Sequence, residues 1–212
     1  MSEPTTPERF AARLPGGGRL SVDALEHDEL FPFEGDIRLR AIEPPVLPEP
    51  GRRGEGGGEG CWNCTDQESN VLWSDDRWLV RHGGKPSGLP LVLTLIPRVH
   101  CDLETLPADV VCDLGVMLQR LAVAMMRIPG IGRVHVNRWG DGTEHFHVWL
   151  LARPRGQWQM RGAMLAAWDD ILPKLPEEEW RANLQVVADA LTEPDSKPDS
   201  SQTSTSRAIG RE

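Results

Sequence analysis

Along residues 61–191 the hydrophobic positions follow two rhythms, one of period two and one of period 3.6. VLWSDDRWLVRHGG reads as two short strands about a Ser-Asp-Asp turn, and LPLVLTLIPRVH as a buried strand running into a proline-ended loop. From residue 105 the period changes. TLPADVVCDLGVMLQRLAVAMMRI offers Thr105 as a cap and Pro107 near the first turn, then Val110, Leu114, Met117, Leu121 and Met125 at helical spacing. PGIG closes that helix, RVHVN is a strand, residues 140–142 form a glycine loop, and HFHVWLLAR is the next strand. Helical stretches at about 160–172 and 177–191 follow. Hairpin, strand, helix, strand, strand, helices is an α+β order on a mainly antiparallel sheet.

The flanks behave differently. Residues 1–60 are rich in Pro, Gly and charge: RLPGGGRL and GRRGEGGGEG read as flexible, and IEPPVLPEPG as extended. Between them ELFPFEGDIRLRAI alternates at Ile37, Leu39 and Ile42, as an arm that packs on the domain or on a second subunit. The stretch 192–212 is Ser/Thr-rich and poor in apolar groups, the composition of a disordered tail. The expected organisation is an arm at 1–60, a domain at 61–191 and a tail at 192–212.

Composition narrows the partners. The net charge is −9 with basic residues scattered, so the electrostatic footprint for long nucleic acids is missing, although a single nucleotide remains bindable. No apolar run approaches the roughly 20 residues of a membrane span, and MSEPTTPERF lacks a signal-peptide pattern, which gives a cytoplasmic expectation. In that setting four cysteines read as thiols or metal ligands rather than disulfides.

The chemistry-bearing residues begin with CWNC, in which Cys61 and Cys64 have the spacing of two thiolates on a tetrahedral zinc ion. Coil before it and TDQESN after it disfavour the redox alternative, which usually opens a helix in a βαβ unit. Zinc needs two more ligands. His100 at the end of LTLIPRVH and His145 in EHFHVW are candidates. On a strand His145, His147 and Trp149 share one face, so completion of a metal site by His145 leaves His147 free to act as nucleophile or acid/base. The preceding RWGDGT supplies Gly140 and Gly142, whose backbone freedom allows N–H groups to turn toward an anion. His135 reads as half-exposed, His82 and His27 as solvated, Asp141 as a turn residue and Cys112 as packed. Arg153 is balanced between a phosphate contact and a cap on the sheet edge.

LTLIPRVH, the 105–127 helix, HVNRWGDG and HFHVWLLARP together resemble the core of the histidine-triad superfamily of nucleotide hydrolases and transferases, over about residues 61–154. The resemblance implies an α+β fold, commonly dimeric, with a nucleotide or nucleotidylated small molecule bound against the sheet. His147 matches the middle histidine, which attacks the α-phosphate and carries a nucleotidyl-histidine intermediate. Cys61, Cys64, His100 and His145 match the zinc ligands of the metal-containing members. Asn137 matches the asparagine before the glycine loop, with Gly140, Gly142 and Thr143 near the phosphate. The sequence departs from the motif at Trp149, which occupies the third histidine position, and Thr143 stands two residues before His145. An indole has one N–H donor and no acceptor. Three readings follow: a nucleotidyl hydrolase or transferase, a zinc-stabilised nucleotide binder without turnover, and a zinc-folded assembly protein with no ligand.

Overall fold

The computed structural model describes residues 46–193 together with Phe33. The alternation at Ile37, Leu39 and Ile42, His27 and all but the first two residues of the expected tail lie outside them. A short helix α1 (Trp62–Thr65) precedes the hairpin β1 (Val71–Ser74) and β2 (Trp78–His82), then β3 (Val92–Pro97). The long helix α2 (Ala108–Met126) leads to β4 (Ile131–Asn137) and β5 (Val148–Pro154), followed by α3 (Leu165–Ile171) and α4 (Glu177–Thr192). The five strands form one antiparallel sheet in the order β1-β2-β3-β5-β4.

Alternation gives the sheet two faces with different fates. Val80, Leu93, Leu95, Val148 and Leu150 join Leu121 and Met125 of α2 and Trp180 and Val187 of α4 in the main core. Helical spacing thus puts Val110, Met117, Leu121 and Met125 inside, as the pattern predicts. The same periodicity turns Cys112 outward with Val111 and Val116, which corrects the expectation that Cys112 is packed. On the opposite face Leu151 meets Leu89, Met160 and Leu165 in a second cluster, against which Val92, Trp149 and Trp168 pack. The segment after β5 therefore covers part of this face and leaves the rest as a pocket floor.

Three boundaries differ from the sequence reading, each for a local reason. Thr105 does not cap α2; it ends a turn of 3-10 helix (Leu103–Thr105) as the reciprocal partner of Asp102 in a capping box, and Pro107 stands at the N-cap of α2. Strand β5 begins at Val148, so His145 and His147 precede it. Its partner β3 ends at Pro97, which has no N–H to extend the ladder, and Phe146 N–H donates instead to the Cys101 carbonyl at 2.7 Å. Finally, GRRGEGGGEG is not free coil. Arg53 pairs in parallel with Thr143, and Gly54 has φ +80, a conformation that disfavours side chains. A Cβ there would come within 2.9 Å of the Cys61 Cβ, and one at Gly58 within 3.2 Å of the His100 ring. Close approach, rather than flexibility, is what these two glycines supply.

Leu121 is completely buried between the sheet and α4. Leu121→Ala should therefore destabilise by about 2–5 kcal/mol, read as a lowered Tm, whereas Cys112→Ser on the exposed face should change stability by roughly 0.5 kcal/mol or less.

Candidate metal centre and adjoining pocket

Four side chains from three separated segments converge. Cys61 caps α1 and Cys64 lies within it, His100 follows β3, and His145 precedes β5. Their candidate ligand atoms all lie within 4.8 Å of one another. His100 Nδ1 is 3.3 Å from His145 Nδ1, Cys61 Sγ is 3.3 Å from His145 Nδ1, and Cys64 Sγ is 3.4 Å from His100 Nδ1 and 3.5 Å from His145 Nδ1. Ligand lengths of about 2.0–2.1 Å to nitrogen and 2.3 Å to sulfur give tetrahedral edges of roughly 3.3 Å between nitrogens and 3.6 Å between nitrogen and sulfur. The donor set Cys₂His₂ and its spacing therefore fit zinc.

Hydrogen bonds on the far side of each ring decide which nitrogen is bare. His145 Nε2 meets the Pro97 carbonyl at 2.8 Å, and His100 Nε2 meets the Gly54 carbonyl at 3.1 Å and Glu144 Oε2 at 3.2 Å. All three partners accept, so both Nε2 atoms carry the proton and both Nδ1 lone pairs face the cluster. Burial lowers the pKa of His145 and keeps the ring neutral, as a ligand must be. Burial, and then the neighbouring Cys61 thiol, pushes Cys64 up to about 11 in the metal-free chain. Gly54 and Gly58 close over the cluster, so the glycine-rich stretch forms its roof. The backbone of Arg53 accepts from Glu144 N–H at 3.0 Å and from Thr143 Oγ1 at 3.0 Å.

Asp102, 5 % exposed, holds the neighbouring loop. Its carboxylate accepts from Arg52 Nη1, Arg138 Nη2 and, at 2.7 Å, Leu103 N–H. Burial pushes its pKa upward, but the Arg52, Leu103 and Arg138 bonds outweigh that and leave the carboxyl below its ordinary value. Arg52 Nη1 also reaches the Gly140 carbonyl at 3.1 Å, and Arg53 N–H the Gly142 carbonyl at 3.3 Å. Both glycines thus offer carbonyls to the preceding segment, and neither has a positive φ.

Beyond the metal cluster lies a pocket of about 420 Å³ on the uncovered sheet face. His147, Thr143 and Trp149 line it together; Asn137, Gly140 and Gly142 do not. Asn137 sits at the end of β4 opposite Trp149, and Gly140 borders a different concavity with Arg52 and Arg138. His147 Nδ1 donates to the His145 carbonyl at 2.8 Å, which selects the tautomer of the neutral ring whose bare nitrogen is Nε2. The ring of Trp149 stands edge-on to His147, with centroids 6.3 Å apart. Arg153 is buried and donates to the Pro154 and Gln157 carbonyls, so it caps the turn after β5. His135 is half-buried, with a pKa lowered by burial and by Arg153. Asp141 lies in an exposed bend.

Several pocket residues escaped the sequence reading. His82 is not solvated: it packs edge-on against Trp180 at 5.1 Å, and burial lowers its pKa. Arg81, Asn63 and Trp62 also line the pocket. An arginine inside the apolar run WLVRH was their only visible signal.

No family model and no curated protein matches the chain. Solved structures similar to it include histidine-triad proteins and a uridylyltransferase. A hypothetical histidine triad nucleotide-binding protein from Sulfolobus tokodaii aligns at 13 % identity and TM-score 0.47, over 62 % of this chain and 91 % of that one. A zinc-bound histidine triad family protein from Mycobacterium smegmatis aligns at 18 % identity and TM-score 0.44, over 60 % and 89 %. A uridylyltransferase mutant aligns at 22 % identity and TM-score 0.42, over 62 % of this chain and 46 % of that one. The motif order in the sequence resembles the same superfamily.

Among the described residues no helix is long and apolar enough to cross a membrane.

Elemental analysis of the purified chain should find about one zinc per chain, lost in Cys61→Ser, and chelation should lower Tm by about 10 °C or more. Because Cys64 is protonated in the metal-free state until about pH 11, zinc uptake must expel thiol protons. Apparent zinc affinity should therefore rise with pH through the neutral range, by about tenfold per pH unit for each proton released. A pH-independent affinity would show that the thiols are not the ligands.

Proposed function

We propose that the chain binds a nucleotide in the pocket beside the zinc site and transfers its nucleotidyl group through His147. The carrying observation is the His147 ring: its Nδ1–H is spent on the His145 carbonyl, and its Nε2 lone pair is left at the pocket that it lines. In this reading Nε2 forms an N–P bond to the α-phosphate while the bond from phosphorus to the leaving group breaks. The leaving group departs with the electron pair. Water, or an acceptor hydroxyl, then attacks phosphorus, the N–P bond breaks, and the attacking oxygen loses its proton to solvent. The Nε2 lone pair is restored. Thr143 and Trp149 line the same pocket and belong to the substrate contacts. Asn137, Gly140 and Gly142 act behind them, in the strand and loop that hold residues 143–147.

Zinc at Cys61, Cys64, His100 and His145 would serve as a structural cross-link, because four protein ligands leave no open coordination position. The His145 carbonyl orients His147, so the ligand set and the nucleophile are mechanically joined through one residue. Trp149 limits the chemistry. Its indole donates but does not relay a proton, so departure depends on a leaving group that is already stable as an anion, such as a phosphate. Phosphoanhydrides fit this requirement better than phosphoramidates of basic amines.

A second reading, nucleotide binding without turnover, is favoured by one observation: Trp149 is built into the apolar cluster of Leu151, Met160 and Leu165. On this view the third position serves packing alone.

His147→Asn should reduce hydrolysis of a dinucleoside polyphosphate by about a thousandfold or more while zinc content and Tm hold. Wild-type turnover in that variant would remove His147 from the mechanism. Nucleotide affinity by calorimetry with no product from the wild-type chain, and activity gained in Trp149→His, would establish the second reading instead.

A further inference from the structure

The wall of the pocket away from His147 contains a charge that the fold leaves unsatisfied. Arg81 is 2 % exposed, and its one hydrogen bond is from Nη2 to the Asp66 carbonyl. Its Nε and Nη1 have no hydrogen-bond partner among the described residues, and the Asp66 carboxylate acts on the guanidinium by charge without bonding it. The guanidinium lies flat against one neighbour, with Cζ 4.6 Å from the centre of the Trp62 ring. In the same wall Asn63, 8 % exposed, keeps an orphaned Oδ1. Two donor nitrogens, with three N–H groups between them, and one carbonyl acceptor are thus buried without hydrogen-bond partners beside one pocket. Native proteins rarely leave such groups unmatched, and a small molecule that enters the pocket can match them.

The register places this wall relative to the nucleophile. Arg81 pairs with Thr94, and Thr94 with Trp149, so the three form one row across β2, β3 and β5. Arg81 therefore stands two strands, about 10 Å of backbone, from Trp149. His147 lies two residues before Trp149 on the same side of the chain. A phosphate at His147 leaves room over Thr94 for a planar group reaching toward Arg81, between the apolar surfaces of Ile96 and Val92.

Resting on the nucleotide reading above, we propose that Arg81 and Asn63 select the nucleobase, and that they select one with two adjacent acceptors followed by a donor. A guanidinium fork matches a planar pair of acceptors, and the Asn63 carbonyl then takes the neighbouring N–H. Guanine presents that order as N7, O6 and N1–H, and cytosine as O2, N3 and the N4 amino group. Adenine sets an amino donor beside its N7 and would place donor against donor. Uracil separates its two carbonyls by N3–H. A second phosphate would engage Arg81 but set its oxygens against the orphaned Asn63 oxygen. Because Nε, Nη1 and Oδ1 are covered in the free chain, the base meets them by side-chain rotation, a common change on binding.

The test is calorimetric titration of the zinc-loaded full chain with GMP, CMP, AMP and UMP, with pyrophosphate as competitor. GMP, CMP or both should bind about tenfold or more tightly than AMP and UMP. Arg81→Met should reduce that preference to within about twofold while retaining zinc and an undiminished Tm, because it replaces an unsatisfied buried charge by an apolar group of similar length. Arg81→Lys, which keeps the charge but loses the fork, should also lose the preference. Equal binding of all four nucleotides would overturn the base assignment and leave the nucleotide reading standing. So would a preference that survives Arg81→Met, or pyrophosphate binding that depends on Arg81. A fall in Tm with unchanged selectivity would make Arg81 a structural residue. Binding of none of them would overturn both.

Discussion

Everything around the pocket depends on one convergence: two sulfurs and two imidazole nitrogens drawn together from residues 61–64, 100 and 145. None of these segments is held there by regular structure alone. Helix α1 is four residues long, His100 follows the proline that stops β3, and His145 precedes its strand. What fixes them is mutual. The His145 ring donates to Pro97, the His100 ring to Gly54 and Glu144, and Gly54 and Gly58 leave just enough space for the roof to close. The site is thus a clasp for three loops, and the nucleophile candidate His147 hangs from the backbone of one ligand.

A second clasp uses charge. Asp102 ties Arg52 and Arg138 to the start of the 3-10 turn that leads to α2, and Arg52 passes the restraint on to the Gly140 carbonyl. A buried carboxylate bonded by two guanidiniums and a backbone N–H is well satisfied, and removal of either arginine leaves the remaining charge under-paired. This network anchors residues 138–144 from one side while the Cys61, Cys64, His100 and His145 cluster anchors them from the other. Glycines in that loop serve as acceptors for the incoming arginines. The loop holds itself, and of its residues Thr143 lines the pocket whereas Gly140 and Gly142 do not.

Legibility in the sequence followed the range of the interaction. The strands, α2 and the α+β order were readable because each rests on short-range periodicity, and the convergence of Cys61, Cys64, His100 and His145 was readable because Cys-x-x-Cys suggests a coordination sphere that two histidines can fill. Cys112 was misread because one apolar-looking residue does not reveal which side of a helix it occupies. The glycine-rich stretch was misread because composition cannot distinguish glycine used for freedom from glycine used for close approach; only the positions of Cys61 and His100 against it decide. Arg81 and His82 were hidden for a third reason. Their significance lies in what fails to pair with one and what packs on the other, Trp180 from a helix almost a hundred residues later.

Trp149 and Arg81 stand at two ends of one cross-strand row, and their roles constrain each other. The indole packs at the join between the sheet and the segment around Met160 and Leu165, and it lines the pocket as well. That segment covers the Leu151 side of the face and confines the pocket to the rows of His147 and Thr94. A confined, largely apolar floor is a costly place for an unpaired guanidinium, and nothing in the core needs one there: Leu79 and Ile96, its neighbours on the same face, are apolar. A guanidinium retained there with Nε and Nη1 unbonded gives up stability that a ligand can recover. The same face therefore shows packing taken at one end of the row and packing given up at the other, and the surrender at Arg81 marks where recognition takes place.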